Sequence, residues 1–346
     1  MAEIAPDFNQ FAAAVTRERL PDRLPSSELD VAVEIMAQFM GQPIRNVRDH
    51  ANFWRAAGYD YAVLYIMGQP IPDHFYQDIV GQPTPGHGES ATAGTFAVAG
   101  VKDEKSFAEY PWHAPEEVYY RDVDMIADCL PEGMKLVISQ GPLFSGMWRL
   151  MGLEQFAIAC LEQPALIQAI AEKLGEMCVN IIANVVQRDY VGAVWFGDDL
   201  AYTQGLMVSP GFLRSHVFPY YERIGELCWE YGKLFIFHSD GKLDDVYEDL
   251  LACGIQAIHP NEPTSVDIVE IKRRYGDRVG LIGNVDMGLL TRGSPDEIRA
   301  ATMYLIENVA PGGGFALGSG NSIAPYVPLA NYQTMLETVR ECGAIY

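Results

Sequence analysis

Short apolar or β-branched runs recur along this chain, each stopped by glycine, proline or an acid: YDYAVLYIMG, KLVISQGP, GAVWFGDD, LFIFHSDG, IQAIHPNEP, VGLIGNVD and FALGSGNS. Runs of this kind, bounded by turn residues, are predicted as strands. The stretch DRLPSSEL, Arg23 to Leu29, supplies a short eighth candidate. Helical segments are predicted between them. Ser209-Pro210 is an N-cap followed by proline at the first helical position, and Pro219 is expected to kink the segment that runs on to Gly232. Ser294-Pro295, followed by Asp296 and Glu297, opens another helix with acids near the positive end of its dipole. Strand and helix in alternation predict a parallel sheet, and eight such units predict closure into a single (β/α)8 TIM barrel occupying residues 1–346. Residues 1 to about 60 form a helical extension before it. Residues 80 to 115 interrupt the alternation and are expected to be a lid-like insertion over the barrel mouth.

Composition narrows the partners. A formal charge of -22 disfavours nucleic acid, because affinity for a phosphate backbone comes largely from Lys and Arg displacing counterions. The N-terminus has no basic segment followed by an apolar one, and no apolar stretch approaches the roughly 20 residues that span a bilayer. The expectation is a soluble, cytoplasmic protein acting on a small molecule or a protein partner. The six cysteines have no metal-binding spacing and are read as reduced, mostly buried thiols.

Polar groups collect where the later runs end, which in a barrel of this type is where chemistry resides. His238 and Asp240, two apart, would face one side of an extended strand. Glu262 follows the next run, in HPNEP. Asp198 and Asp199 close GAVWFGDD, and adjacent carboxylates at a barrel mouth repel each other unless a cation or proton lies between them. These residues offer nitrogen and oxygen ligands suited to zinc with an open position. A structural role suits them too: a histidine satisfied by backbone, and an aspartate capping the helix after Gly241. Asn284, Asp286, Ser319 and Asn321 add hydrogen-bonding groups, while His87 and His113 reach the mouth if their loop folds over it. Tyr202 is among the aromatic residues that could line a flat apolar pocket. The glycines Gly312 to Gly314 lack the lysine and spacing of a phosphate loop.

The segments SPGFLRSHVFPYYERI, FIFHSDG, GLIGNVDMGLLTRGSPDEI and GGGFALGSGNSIAPYVPLANYQTML follow one another in an order that resembles the uroporphyrinogen decarboxylase superfamily, which includes the corrinoid-dependent methyltransferases. The likeness runs from about Asp22 to Cys342. It implies a (β/α)8 barrel. The decarboxylase branch carries an arginine-rich N-terminal motif and an aspartate after an early strand; here those regions read DRLPSSELD and YDYAVLYIMGQP. The coenzyme M methyltransferase branch is similar at His238, the start of a His-x-Cys pattern that, with a distant Cys, binds zinc. Asp240 stands at the first Cys position and Ser319 at the second, which removes both sulfur ligands. On this likeness zinc is either held by His238 with oxygen ligands such as Asp240 or Glu262, or absent. The implied activity is transfer of a methyl group from a small methylated substrate, such as an aryl methyl ether, to a corrinoid (cobalamin) on a partner protein. No D-x-H-x-x-G motif is present to hold the corrinoid in this chain. His238, Asp240, Glu262 and Asp199 are the expected catalytic residues; Asn284, Asp286, Ser319, Asn321 and Tyr202 are expected to bind substrate. The alternatives are a decarboxylase and a non-catalytic barrel that binds a corrinoid or tetrapyrrole.

Overall fold

All seven apolar runs become strands of one parallel sheet in the computed structural model, which describes residues 5–67, 100–112 and 120–343. In chain order they are β1 (Tyr61–Met67), β2 (Lys135–Gly141), β3 (Val191–Gly197), β6 (Leu234–His238), β7 (Ala257–His259), β8 (Gly280–Val285) and β9 (Phe315–Ser319), hydrogen-bonded in that sequence. Between β3 and β6 lies a small antiparallel hairpin, β4 (Ala201–Tyr202) with β5 (Gly205–Leu206). Two-residue strands carry no periodic pattern, and the sequence did not announce them. The parallel strands are covered by helices on the outside, so they are buried almost along their whole length; Val194, Phe235, Ile236, Phe237, Ile282 and Ala316 are fully enclosed.

DRLPSSEL takes the eighth position. Ser26 pairs in parallel with Leu317 of β9, through Ser27 N–H to Leu317 O at 2.8 Å and Leu317 N–H to Pro25 O at 3.0 Å. This approach needs glycine at 318, where a Cβ would lie 1.8 Å from the Ser27 carbonyl oxygen. On its other side the segment meets β1 through one phenol. Tyr61 Oη accepts from the Glu28 amide at 2.9 Å, donates to the Glu28 carbonyl at 3.0 Å and lies 2.8 Å from Ser27 Oγ. The ring is thereby completed as a (β/α)8 barrel, with the last seam made by side chains.

The N-terminal extension is helical: Phe8–Thr16, Val33–Met40 and Val47–Ala57. The first helix crosses the N-terminal ends of the strands, where Phe8 abuts Gly192 and Val15 abuts Gly280, leaving no room for a side chain at either glycine. The barrel is closed from below and its working end is the other one. Pro219 does more than kink its segment. Helix Pro210–His216 stops, and a second helix, Phe218–Glu230, begins with that proline in its first turn, where a missing N–H costs nothing. Ser294 opens helix Pro295–Asn308 as expected, and Glu297 completes a capping box with it.

Of the insertion, residues 100–112 are described and contain helix Glu104–Glu109. The remainder, with His87 and His113, lies outside the described residues. All six cysteines are free thiols, and Cys178, Cys228 and Cys253 are buried. Among the described residues no helix is long and apolar enough to cross a membrane.

Candidate active site

The register of β6 and β7 sets the two histidines side by side. His238 and His259 are the last residues of adjacent parallel strands and pair directly, so their rings leave the sheet together. Their Nδ1 atoms are 2.8 Å apart. The free face of His238 looks outward: its Nε2 lies 3.7 Å from Asp199 Oδ1 and 3.9 Å from Asp240 Oδ1.

Both carboxylates are fixed by their surroundings. Asp199 follows β3; its amide donates to Ser145 Oγ at 2.9 Å, and its Oδ1 accepts the Asp240 amide at 3.2 Å. Arg149 stands 3.9 Å from its other oxygen. Asp240 is clamped from across the mouth by the Asn321 amide, which lies 2.9 Å from Oδ1 and 3.0 Å from Oδ2. The turn after it depends on Gly241, which has φ +85° and would drive a Cβ to 2.5 Å from the backbone of Tyr202. Burial pushes the Asp240 carboxyl up to about 6, and the charges of Asp199 and Glu262 push the same way, while His238 and the Asn321 amide pull it down.

One ligand atom from each of Asp199, His238 and Asp240 falls within 4.8 Å of the others, a set of two oxygens and one nitrogen that fits a divalent cation such as zinc. The supporting bonds from His259, Asn321 and the Asp240 amide are of the kind that orient metal ligands. Glu262, expected as a ligand, is not part of this group. Its Oε2 accepts from Ser265 Oγ at 2.8 Å and its charge reaches Asp240 from nearby; Asp199 takes the third place.

Adjacent Asp198 and Asp199 turn to different partners: Asp199 joins the cluster beside His238, while burial pushes the Asp198 carboxyl above its ordinary range against the pull of its hydrogen bonds. Asp198 is buried and turns to the N-terminus of helix Phe144–Met151, accepting from the amides of Leu143 (3.0 Å), Phe144 (2.6 Å) and Ser145 (2.7 Å), and from Tyr221 Oη (2.7 Å). It satisfies N–H groups that a helix start leaves open, and the helix dipole favours it there. Asp198→Ala should destabilise the protein by about 3 kcal/mol or more, since several buried donors lose their acceptor at once. Urea unfolding would read this as a lowered midpoint; an unchanged midpoint would reject it.

Local structure claims several other expected residues. Asp286 is the N-cap of helix Met287–Arg292, accepting from Leu289 N–H at 2.7 Å. Asn284 is buried, and its amide donates to the Asn261 carbonyl at 2.5 Å. Ser319, also buried, gives its hydroxyl and its amide to the Glu28 carboxyl, at 2.6 Å and 2.8 Å. The substrate-binding role expected of these three therefore has a structural competitor in each case. Asn321 contacts Asp240 itself, and Tyr202 on the hairpin is exposed. Sequence reasoning passed over His259, Arg149 and Glu28. For His259 a signal existed: AIHP and FIFH end alike, and parallel pairing in register brings like ends together.

The model of the family described as "Uroporphyrinogen decarboxylase (URO-D)" matches residues 105–342. Uroporphyrinogen decarboxylase of Coxiella burnetii (strain Dugway 5J108-111) is 33% identical over 184 residues, 52% of this chain and 48% of that protein. The enzyme of Pseudoalteromonas translucida (strain TAC 125) is 33% identical over 99 residues, 29% of this chain and 27% of its own length. The matched part is thus half or less of these relatives. Among solved structures, a methyltransferase from Methanosarcina mazei superposes with a TM-score of 0.69 over 96% of this chain and 97% of that one, at 14% identity, and shares the fold. With the matched region covering most of the barrel from β2 to the last helix, the chain belongs to the uroporphyrinogen decarboxylase family.

Proposed function

We propose that this barrel transfers a methyl group from a small methylated substrate, an aryl methyl ether above all, to a corrinoid carried by a separate protein that docks at the mouth. The observation that carries the reading is the Asp199–His238–Asp240 cluster, built from oxygen and nitrogen donors with no sulfur among them. Such a set suits an oxygen leaving group. As the methyl carbon passes to cobalt(I), the C–O bond breaks and its electron pair stays on the substrate oxygen. Asp240, with its carboxyl pushed up to about 6, gives that oxygen a proton; His238 Nε2 faces the same space and stabilises the charge that develops first. Asn321 keeps Asp240 in place, and Asp199 with Arg149 forms the opposite wall. A divalent cation held by Asp199, His238 and Asp240 would supply Lewis-acid polarisation of the same oxygen.

Decarboxylation of a polycarboxylated tetrapyrrole fits less well, because such a substrate calls for cations and Arg149 beside the cluster already faces Asp199. Incubation with cob(I)alamin and a panel of methoxylated aromatics, methylamines and methyl thioethers separates the readings. Conversion of the cobalamin spectrum to that of methylcobalamin with methoxylated aromatics is the expected result. Ligand-induced thermal stabilisation without product would indicate a non-catalytic barrel instead. Release of carbon dioxide from uroporphyrinogen, with no methyl transfer, would return the chain to the decarboxylase reading.

A further inference from the structure

We propose that the face of the barrel opposite the mouth binds a small phosphate monoester, whose phosphate is held by Arg17 with Lys272 behind it. The site is separate from the Asp199–His238–Asp240 cluster and does not depend on the reaction proposed there.

Arg17 ends the first helix, Phe8–Thr16, in the left-handed region, with φ 63°. L side chains are uncommon there, and the next two helices end on glycine at the same position, Gly41 and Gly58. An arginine kept where glycine fits better points to a role for its side chain. That side chain runs along Gly314, where a Cβ would lie 3.0 Å from Arg17 Cδ, and its guanidinium donates to the Gly276 carbonyl. This is its one hydrogen bond among the described residues, so most of the guanidinium donors are open to a ligand. Lys272 stands beside it and donates to the Gly313 carbonyl. Burial, and then the charge of Arg17, push the Lys272 ammonium down to about 8.

Neither cation has a carboxylate partner among the described residues. The contrast is local. Arg273, Arg274 and Arg278, on the same helix or just past it, meet Glu270 at 2.6 Å, Asp244 at 2.8 Å and Glu248 at 2.5 Å. In a chain of charge -22, two neighbouring cations left to carbonyls alone are poorly compensated, and an oxyanion on the Arg17 fork supplies the missing charge.

A cavity of about 430 Å³ opens beside Arg17, bounded by Thr16, Gln256, Asp277, Arg278 and Val279. It is larger than a free phosphate needs and falls in the range of small-molecule sites. Its other polar groups suit the alcohol half of an ester. Gln256 Oε1 accepts from Phe235 N–H at 3.0 Å, which leaves the amide N–H groups of Gln256 as donors. Asp277, the acid on this wall, interacts with the charge of Arg278 and offers an acceptor to a hydroxyl.

Isothermal titration of the full chain at neutral pH and fixed ionic strength, with glycerol 3-phosphate and separately with inorganic phosphate, tests the site. The ester is expected to bind, and to bind more tightly than the free ion. Arg17→Gly suits the left-handed backbone and should fold, and it should weaken binding of the ester by about tenfold or more. Lys272→Gln should weaken it less. No binding of either anion to the wild type, or unchanged affinity in Arg17→Gly, would overturn the proposal. Equal affinity for ester and free phosphate would overturn the assignment of the cavity to an ester, and the same heats from sodium chloride would show a salt effect in place of a site. If Lys272→Gln does not fold, Arg17→Gly alone decides.

Discussion

Replacing His238 by alanine should lower methyl transfer to an added corrinoid by about 10³-fold or more, with the fold retained. The side chain supplies the imidazole nitrogen that faces both Asp199 and Asp240, so on the proposed reaction its loss removes the group that would meet the leaving oxygen and leaves the two carboxylates across an empty gap. The structural cost is confined. His259 Nδ1 loses its partner, worth about 1–3 kcal/mol for a buried polar atom, while the backbone of β6 keeps its pairing with β3 and β7. Steady-state rates beside a thermal unfolding curve check both halves of the statement. Turnover equal to wild type with a competent corrinoid partner would remove His238 from the mechanism, and collapse of the fold would show that its role in the pair is structural.

A second large effect is expected from Glu28. This carboxyl is fully buried at the end of the eighth strand segment and accepts from the hydroxyl and amide of Ser319. Burial pushes it from 4.5 up to about 8, against the pull of those two hydrogen bonds. In the window between these values the folded protein holds a proton that the unfolded chain releases, so stability is full below about 4.5 and falls as pH rises through about 8. At the alkaline end the loss reaches on the order of 5 kcal/mol. Asp240 adds a smaller effect of the same sign, between 3.8 and about 6. Glu28→Gln should match wild type near the acidic end and exceed it in stability at alkaline pH. Denaturant titrations across this range would show it, and parallel curves for the two proteins would refute the assignment.

The barrel was legible because strands buried on both faces appear as unbroken apolar runs, and because glycine, proline and acids stop each run where the sheet ends. All seven runs formed strands, and DRLPSSEL found its place beside β9. The β4–β5 hairpin was silent because each of its strands spans a single period of alternation, too little to show a pattern. In the site, His238, Asp240 and Asp199 could be read from their positions at strand ends. Glu262 looked equivalent to them, but it lies outside the cluster and its carboxylate accepts from Ser265. Ser319 and Asp286 carry bonds that the sequence did not show: hydroxyls and carboxylates at strand ends also serve helix caps and buried carboxyls, and a chain separation of 291 residues conceals the partner of Ser319. His259 stood in view in the sequence, but its importance lies in a register that only the paired strands reveal.

Asp198 and Asp199 are chemically identical neighbours with opposite fates, one locked onto the start of a helix and the other open to the mouth. This divides tolerance to mutation between two consecutive codons. A library that randomises position 199 and preserves 198 could explore new leaving groups on an intact barrel. The converse library would spend most of its members on destabilised proteins, and family members that have changed substrate are expected to vary at the second position while keeping the first.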